Sequence, residues 1–327
     1  MAKWTVNDVP PQAGRLAVVT GTGGLGYETA LVLAQHGAGV ILAGRNEAKG
    51  REATRKILAL APGASVRFQL LDLADLASVA AFSNRLLAED RPVDLLVNNA
   101  GVMTPPSRRT TVDGFELQFG TNYLGHFALT AQLLPLLQRG RSPRVVEVSS
   151  GAHRLGGAIH FDDLQWERSY KPWAAYAQSK LAMLMFAHEL QRRSDAAGWG
   201  LMSNAAHPGY ARTELIANGP GADALMTKVG NVLLRPFLSQ SAADGALPVL
   251  LAATSPEAKG GGYYGPTGPF ELIGAPGPAV IGAPAKDLAV AKKLWELSED
   301  LTGARWQAGT APHNSFTKRS LICDIDY

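Results

Sequence analysis

Residues 15–26 read RLAVVTGTGGLG. A short apolar, β-branched run over 15–20 gives way to Gly21-Thr22-Gly23-Gly24-Leu25-Gly26, and a helical pattern follows over 26–37. Ala30, Leu31, Leu33 and Ala34 lie on one stripe of that helix. The spacing G-x-G-x-x-G is weak on its own in a chain with 35 glycines. Its position, after a strand and opening a helix, carries the reading. Gly21 permits the tight turn, Gly23 lets the backbone approach a pyrophosphate, and Gly26 lets helix and strand pack closely. Gly24 and Leu25 complete the turn, where the helix offers unpaired N–H groups to phosphate.

Working outward, strands are expected at 40–43, 66–71, 93–98, 144–148 and 201–206. Helices are expected at 74–90, 114–138 and 176–195. Uninterrupted apolar strands alternating with helices argue an α/β fold, a doubly wound parallel sheet covered on both faces. No linker divides the series, so one domain is expected over 1–303. Residues 255–286 are rich in Gly and Pro and read as loop, with one short strand near Tyr263 and Tyr264. A closing helix is expected over 288–301, with Asp287 as its N-cap. Residues 304–327 show no period and are expected to form an irregular tail.

Composition narrows the functional classes. Lys+Arg 31 against Asp+Glu 28 leaves a net charge of +3, which gives no reason to expect a nucleic-acid partner. One cysteine, Cys323, rules out an intramolecular disulfide and a cysteine-based zinc site. No carboxylate–histidine spacing suggests another metal site. The N-terminus lacks the apolar segment of a signal peptide, and no apolar run reaches the ~18 residues of a membrane span. A soluble protein of the cytoplasm is the expectation.

Where an NAD site places an acid at the end of the second strand, this chain has Arg45, 19 residues after Gly26. A guanidinium suits a 2′-phosphate, so NADP(H) is the preferred cofactor; Glu47 nearby leaves NAD(H) possible. Tyr176 and Lys180, at i and i+4, share a helix face. An ammonium beside a phenol favours the phenolate, which fits the pair for proton exchange with a hydroxyl or carbonyl. Tyr–Lys pairs are common on helix surfaces, and the surroundings decide the reading. Ser149 and Ser150 end the fifth strand, Asn98-Asn99-Ala100-Gly101 ends the fourth, and Asn122 lies in the helical stretch that follows. His207 reads as a pocket wall or as a strand-end histidine with a backbone partner. His126 reads as packing, and His153 and His160 as loop histidines.

The motifs VTGTGGLGYETA (19–30), NNAG (98–101), TNYLGHF (121–127), VSSGAH (148–153), AYAQSK (175–180) and HPGYARTEL (207–215) together resemble the short-chain dehydrogenase/reductase family. The likeness runs over about 15–303 and is strongest to the retinol-dehydrogenase and protochlorophyllide-reductase-like branch. It implies a Rossmann-type sheet of about seven strands. It implies Tyr176 as proton donor or base, Lys180 as the group that lowers its pKa and binds the nicotinamide ribose, and Ser150 as the hydrogen-bond donor to the substrate oxygen. It implies that Asn122 holds a water linking Lys180 to solvent. Asn98, Ala100 and Gly101 would line the adenosine ribose and steady the sheet. Asp72 and Leu73 would contact adenine, and Pro208, Gly209 and Thr213 would close over the nicotinamide.

Two departures stand out. The family's TGxxxGxG turn is one residue shorter here, and Ser150 lies 26 residues before Tyr176, about twice the family's usual separation. The extra residues, an insertion at 151–175, are expected near the substrate entrance. Residues 213–240 resemble a mobile substrate lid, and their apolar content suggests a lipophilic substrate. The expected activity is NADP-dependent hydride transfer between nicotinamide and a carbonyl or alcohol, with a homodimer possible. The alternatives are an NADP(H)-sensing module without turnover and a protochlorophyllide-reductase-like double-bond reductase.

Overall fold

The structure, a computed structural model, describes residues 3–211 and 239–306. Its centre is an eight-stranded sheet in the order β3-β2-β1-β4-β5-β6-β7-β8. In chain order the strands are β1 (Leu16–Thr20), β2 (Gly39–Gly44), β3 (Val66–Leu70), β4 (Leu95–Asn98), β5 (Arg144–Val148), β6 (Met202–Ala206), β7 (Tyr263–Pro266) and β8 (Pro276–Pro278). Strands β1 to β7 pair in parallel, and β8 returns antiparallel to β7. The order reverses between β1 and β4, which opens a crevice at the carboxyl ends of those two strands.

Seven α-helices are described: α1 (Gly24–Gln35), α2 (Glu47–Leu60), α3 (Leu76–Glu89), α4 (Gly125–Leu137), α5 (Pro172–Ala197), α6 (Ala242–Thr254) and α7 (Leu288–Thr302). Alternate residues of β1 divide the core into two layers. Ala17 and Val19 pack with Ala30 and Leu33 of α1, Ile57 of α2 and Val249 of α6. Leu16 and Val18 face the layer formed by Phe82 of α3, Phe127 of α4, Phe186 of α5 and Trp295 of α7. Trp295 closes on Phe127 at 5.0 Å between ring centres and on Phe186 at 5.7 Å. Asp287 caps α7, accepting from the amides of Ala289 and Val290.

Several expectations are corrected. The Rossmann-type sheet of about seven strands is met with eight, the last, β8, lying at residues 276–278 inside a Gly/Pro-rich stretch read as loop. Helices α2 and α6 add to the elements expected from the sequence. The stretch 114–138 is not one α-helix. It begins with a bridge between Thr110 and Glu116, continues as a π-helical segment over Phe119–Leu124, and becomes α-helical at Gly125. The buried Glu116 carboxylate accepts from the amides of Gln118 and Phe119 and so starts the segment. The His126 ring then takes the Asn122 carbonyl at 2.7 Å. An i−4 carbonyl engaged by a side chain is a recognised cause of such irregularity. Helix α5 begins at Pro172, four residues before Tyr176, with proline at a position where the missing N–H costs nothing.

Candidate active site

The glycine turn is held from beneath. Gly21 and Gly24 have φ of 95° and 50°, which an L side chain rarely adopts. A Cβ on Gly26 would overlap the Gly21 carbonyl and lie 2.7 Å from Asn99 Nδ2. Asn99 Nδ2 donates to the Thr20 carbonyl at 2.8 Å, and Thr20 Oγ1 accepts from the amides of Asn99 and Ala100 at 2.9 and 3.0 Å. These bonds clip the end of β4 to the end of β1. Above the turn, a Cβ on Gly23 would meet nothing within 4 Å. Helices α2, α3, α6 and α7 each receive a side-chain cap, from Asn46, Asp75, Ser241 and Asp287. Helix α1 receives none, so its first amides remain available at the positive end of the helix dipole. A glycine cradle open on one side, with free amides beneath it, fits the pyrophosphate of a dinucleotide.

Arg45 follows β2 at the same end of the sheet, exposed and without an ion pair among the described residues. Glu47 is engaged elsewhere: its carboxylate accepts from Arg51 along α2. Asp72 Oδ1 accepts from the Ala74 amide, and the Asp72 amide donates to Ser78 Oγ. The Leu73 side chain is buried in the core, which leaves only its backbone to meet a ligand. Asn98 is corrected in part. It is fully buried, with Nδ2 donating to Thr130 Oγ1 and Glu147 Oε1, so it steadies β4 against β5 and does not line the crevice. Ala100 and Gly101 are half-buried at the exit of β4.

Tyr176 and Lys180 are buried on one side of α5. The side chains of Tyr176 and Ser150 neighbour each other. Burial pushes the Tyr176 phenol up to about 12, with the neighbouring Ser150 hydroxyl acting in the opposite direction. Lys180 stands near the phenol without touching it. The ammonium donates instead to the Val148 carbonyl at 2.8 Å and lies 5.8 Å from the Tyr176 ring centre. Burial lowers Lys180 to about 8, opposed by the nearby Glu147 carboxyl. The two adjacent serines divide clearly. Ser149 Oγ donates to the Lys180 carbonyl at 2.7 Å and lies on the Tyr263 side, whereas Ser150 faces Tyr176.

The Asn122 side chain is given wholly to protein partners. Its Oδ1 accepts from the Val102 amide at 2.7 Å, and its Nδ2 donates to the Val102 carbonyl and to Ser179 Oγ. It thereby ties the exit of β4 to α5, one residue from Lys180. Pro208 and Gly209 leave β6 beside this group. The Pro208 carbonyl accepts from Gln240 Nε2 at 2.8 Å, and Gly209 has φ 61°. Thr213 and nearly all of the lid expected over 213–240 lie outside the described residues. The insertion contributes a 3₁₀ turn at Gly151–Arg154, followed by a loop into α5.

Three residues not anticipated from the sequence belong to the surroundings of this group. Asn99 clips the glycine turn. Glu147 is a fully buried carboxylate on β5, and its signal was a charge inside an apolar strand. Glu271 meets Arg154 and His207, contacts for which no local pattern exists. Among the described residues no cluster of His, Cys, Asp and Glu is arranged to hold a metal, and no helix is long and apolar enough to cross a membrane.

The glycine cradle, the Tyr176–Ser150 pair and Lys180 thus stand at the carboxyl ends of β1, β4 and β5. Residues 15–220 match the family model described as short chain dehydrogenase. This chain belongs to the short chain dehydrogenase family. Mouse (Mus musculus) polyprenol dehydrogenase is 41% identical over 303 residues, covering 90% of this chain and 86% of the relative. Human (Homo sapiens) retinol dehydrogenase 13 is also 41% identical, covering 89% of this chain and 85% of its own. A crystal structure of a Mycobacterium paratuberculosis protein is 40% identical with a TM-score of 0.77, covering 94% of this chain and all of that one. A short chain dehydrogenase from Shigella flexneri, complexed with NADP, is 26% identical with a TM-score of 0.59, covering 77% of this chain and 97% of that one. The chain is therefore an oxidoreductase of the retinol-dehydrogenase-like branch of short chain dehydrogenases, acting on CH–OH groups with a nicotinamide cofactor.

Proposed function

We propose that this short chain dehydrogenase uses NADP(H) to interconvert a lipophilic alcohol and its carbonyl, with Tyr176 as the acid–base group. The observation that carries the proposal is the juxtaposition of the Tyr176 and Ser150 side chains at the end of β5. Two neighbouring hydroxyls are placed to bind one substrate oxygen between them. The nicotinamide, when bound, supplies or accepts the hydride at the substrate carbon. In the reductive direction Tyr176 donates its phenolic proton to the carbonyl oxygen as negative charge develops there. Ser150 donates a hydrogen bond to the same oxygen, an electrostatic contribution that grows in the transition state. The Lys180 ammonium stabilises the resulting phenolate, which recovers its proton from solvent.

The preference for NADP(H) is supported by Arg45, exposed beside the cradle, and by the diversion of Glu47 to Arg51. The lipophilic substrate is supported by the names of the relatives and by two exposed apolar side chains near Tyr176. Trp173 lies 5.9 Å from the Tyr176 ring centre, and its Nε1 donates to the carbonyl of Leu155, itself exposed.

The test is reduction of all-trans-retinal and of a polyprenal by the purified protein, with NADPH and NADH compared. Tyr176→Phe should lower kcat by about 10²–10⁴-fold while NADPH still binds, since general acid–base groups contribute on that order. Full turnover by Tyr176→Phe on a substrate that the wild type reduces would sink the mechanism.

A further inference from the structure

Glu271 lies in the loop between β7 and β8, far in sequence from every residue proposed above to act. Its carboxylate is largely buried, and Oε1 accepts from the Val280 amide at 2.8 Å. Oε2 meets two groups at once, Arg154 Nη2 at 2.8 Å and His207 Nε2 at 3.2 Å. Neither approach to Oε2 has hydrogen-bond geometry, so the Arg154 contact is held by charge rather than by a directed bond. Phe270 and Glu271 are consecutive non-glycine residues with φ of 54° and 57°. Left-handed backbone in L residues is costly and survives only where the surroundings enforce it.

The two groups that meet on Glu271 follow the ends of two neighbouring strands, β5 and β6. Arg154 ends the 3₁₀ turn that begins directly after Ser150. In the same turn, His153 Nδ1 donates to the Ser150 carbonyl at 2.7 Å, and its Nε2 accepts from the Gly282 amide at 3.2 Å. Both ring nitrogens are used, which fixes the neutral tautomer and binds the Ser150 turn to the loop that follows β8. After β6, His207 leads into Pro208 and Gly209, and His207 Nδ1 accepts from the Gly209 amide. The Glu271 loop touches that wall directly as well: the Leu272 carbonyl accepts from the Tyr210 amide at 2.8 Å.

We propose that Glu271 is a positioning residue that holds the Ser150 turn, through Arg154, in register with the His207–Gly209 wall of the nicotinamide site. The proposal rests on the roles given above to Ser150, Pro208 and Gly209, and deepens them. Glu271 touches neither substrate nor cofactor; it sets the distance between the groups that do. Burial would by itself raise its carboxyl, and His207, the Val280 amide and Arg154 more than reverse that, to about 2, so the group is a carboxylate at neutral pH.

The test uses the full-length protein carrying Glu271→Gln, which keeps shape and the Val280 bond but removes the charge. NADPH affinity is read by nicotinamide fluorescence, which needs no turnover. Then kcat and KM for all-trans-retinal are measured, with melting temperatures alongside. We expect NADPH binding to weaken about fivefold or more and kcat to fall about tenfold or more, with KM little changed, as for a site whose parts are misplaced. Arg154→Met and His207→Gln should each impair NADPH binding in the wild type and add less than about twofold in the Glu271→Gln background. NADPH affinity within about twofold of wild type in Glu271→Gln would overturn the inference, as would losses that only track the unfolded fraction. Should Glu271→Gln misfold, Arg154→Met with His207→Gln tests the same coupling, and additive losses would overturn it. Failure of the parent reading looks different: Tyr176→Phe would stay active, while the NADPH titrations would still report on Glu271.

Discussion

Arg45 and Lys180 are the two cations whose placement makes a measurable claim. If Arg45 meets a 2′-phosphate, Arg45→Glu should remove a charge-assisted bond of about 1.5–3 kcal/mol. The ratio of kcat/KM with NADPH to that with NADH should then drop roughly 10- to 100-fold. An unchanged ratio would send the search for the cofactor determinant elsewhere. Lys180 makes a claim about pH. Its pKa is lowered to about 8 by burial, so it loses its charge as pH rises through that value. Tyr176, held near 12, stays protonated over the same interval. Carbonyl reduction should therefore lose kcat/KM on the alkaline side near 8. Lys180→Arg stays charged and should move that limb upward, though at a lower plateau. A limb that does not move would assign it to another group.

The first turn of α1 separates two kinds of glycine. Gly26 is boxed in by the Gly21 carbonyl and Asn99, while Gly23 faces open space. Gly26→Ala should lower the melting temperature and weaken NADPH binding together, because a backbone atom has to move; overpacking of this sort costs about 1–3 kcal/mol. Gly23→Ala should leave the melting temperature unchanged and weaken NADPH binding alone. Calorimetry and an NADPH titration on both variants distinguish the two cases. The glycine turn, the strands and the Tyr176–Lys180 face were legible in the sequence because each is a local pattern. Helix α2 was not, because its buried face consists of Gly50, Ala53 and Ile57, too small and sparse to make a stripe. Strand β8 was not, because Pro-Gly-Pro reads as turn unless its partner is known. Of the site, Ser150, Tyr176, Lys180 and the glycines could be read, whereas Asn99 and Glu271 act through contacts that exist only once the sheet has formed.

For the whole molecule, Glu147 sets a pH dependence of stability. It is fully buried on β5, with Oε1 bound to Asn98 and Oε2 without a partner. Burial raises its carboxyl to about 8, opposed by Asn98 and Lys180. Below the ordinary value of 4.5 both folded and unfolded chains carry the proton, and this group adds no pH dependence. Between there and about 8 the unfolded chain releases the proton first, so stability falls as pH rises, and above that it levels. Glu147→Gln should be the more stable protein at neutral pH and should lose this slope. Denaturant unfolding of both proteins across this range checks it, and parallel curves would refute it.

Strand β8 also determines how the sheet ends. The Ala279 amide donates inward to β7, and the Ala275 carbonyl accepts from Thr267. By the alternation of an antiparallel ladder, the amides of residues 276 and 278 would face outward. Both positions are proline, which has no N–H to offer. The rim of the sheet on this side is thus chemically blunt, and neither a second molecule nor a misfolded strand can zip onto it. Edge-to-edge pairing of the sheets of two copies is therefore left to the opposite rim at β3. Pro276→Val with Pro278→Val should turn a monodisperse solution into one that self-associates over time, visible by light scattering.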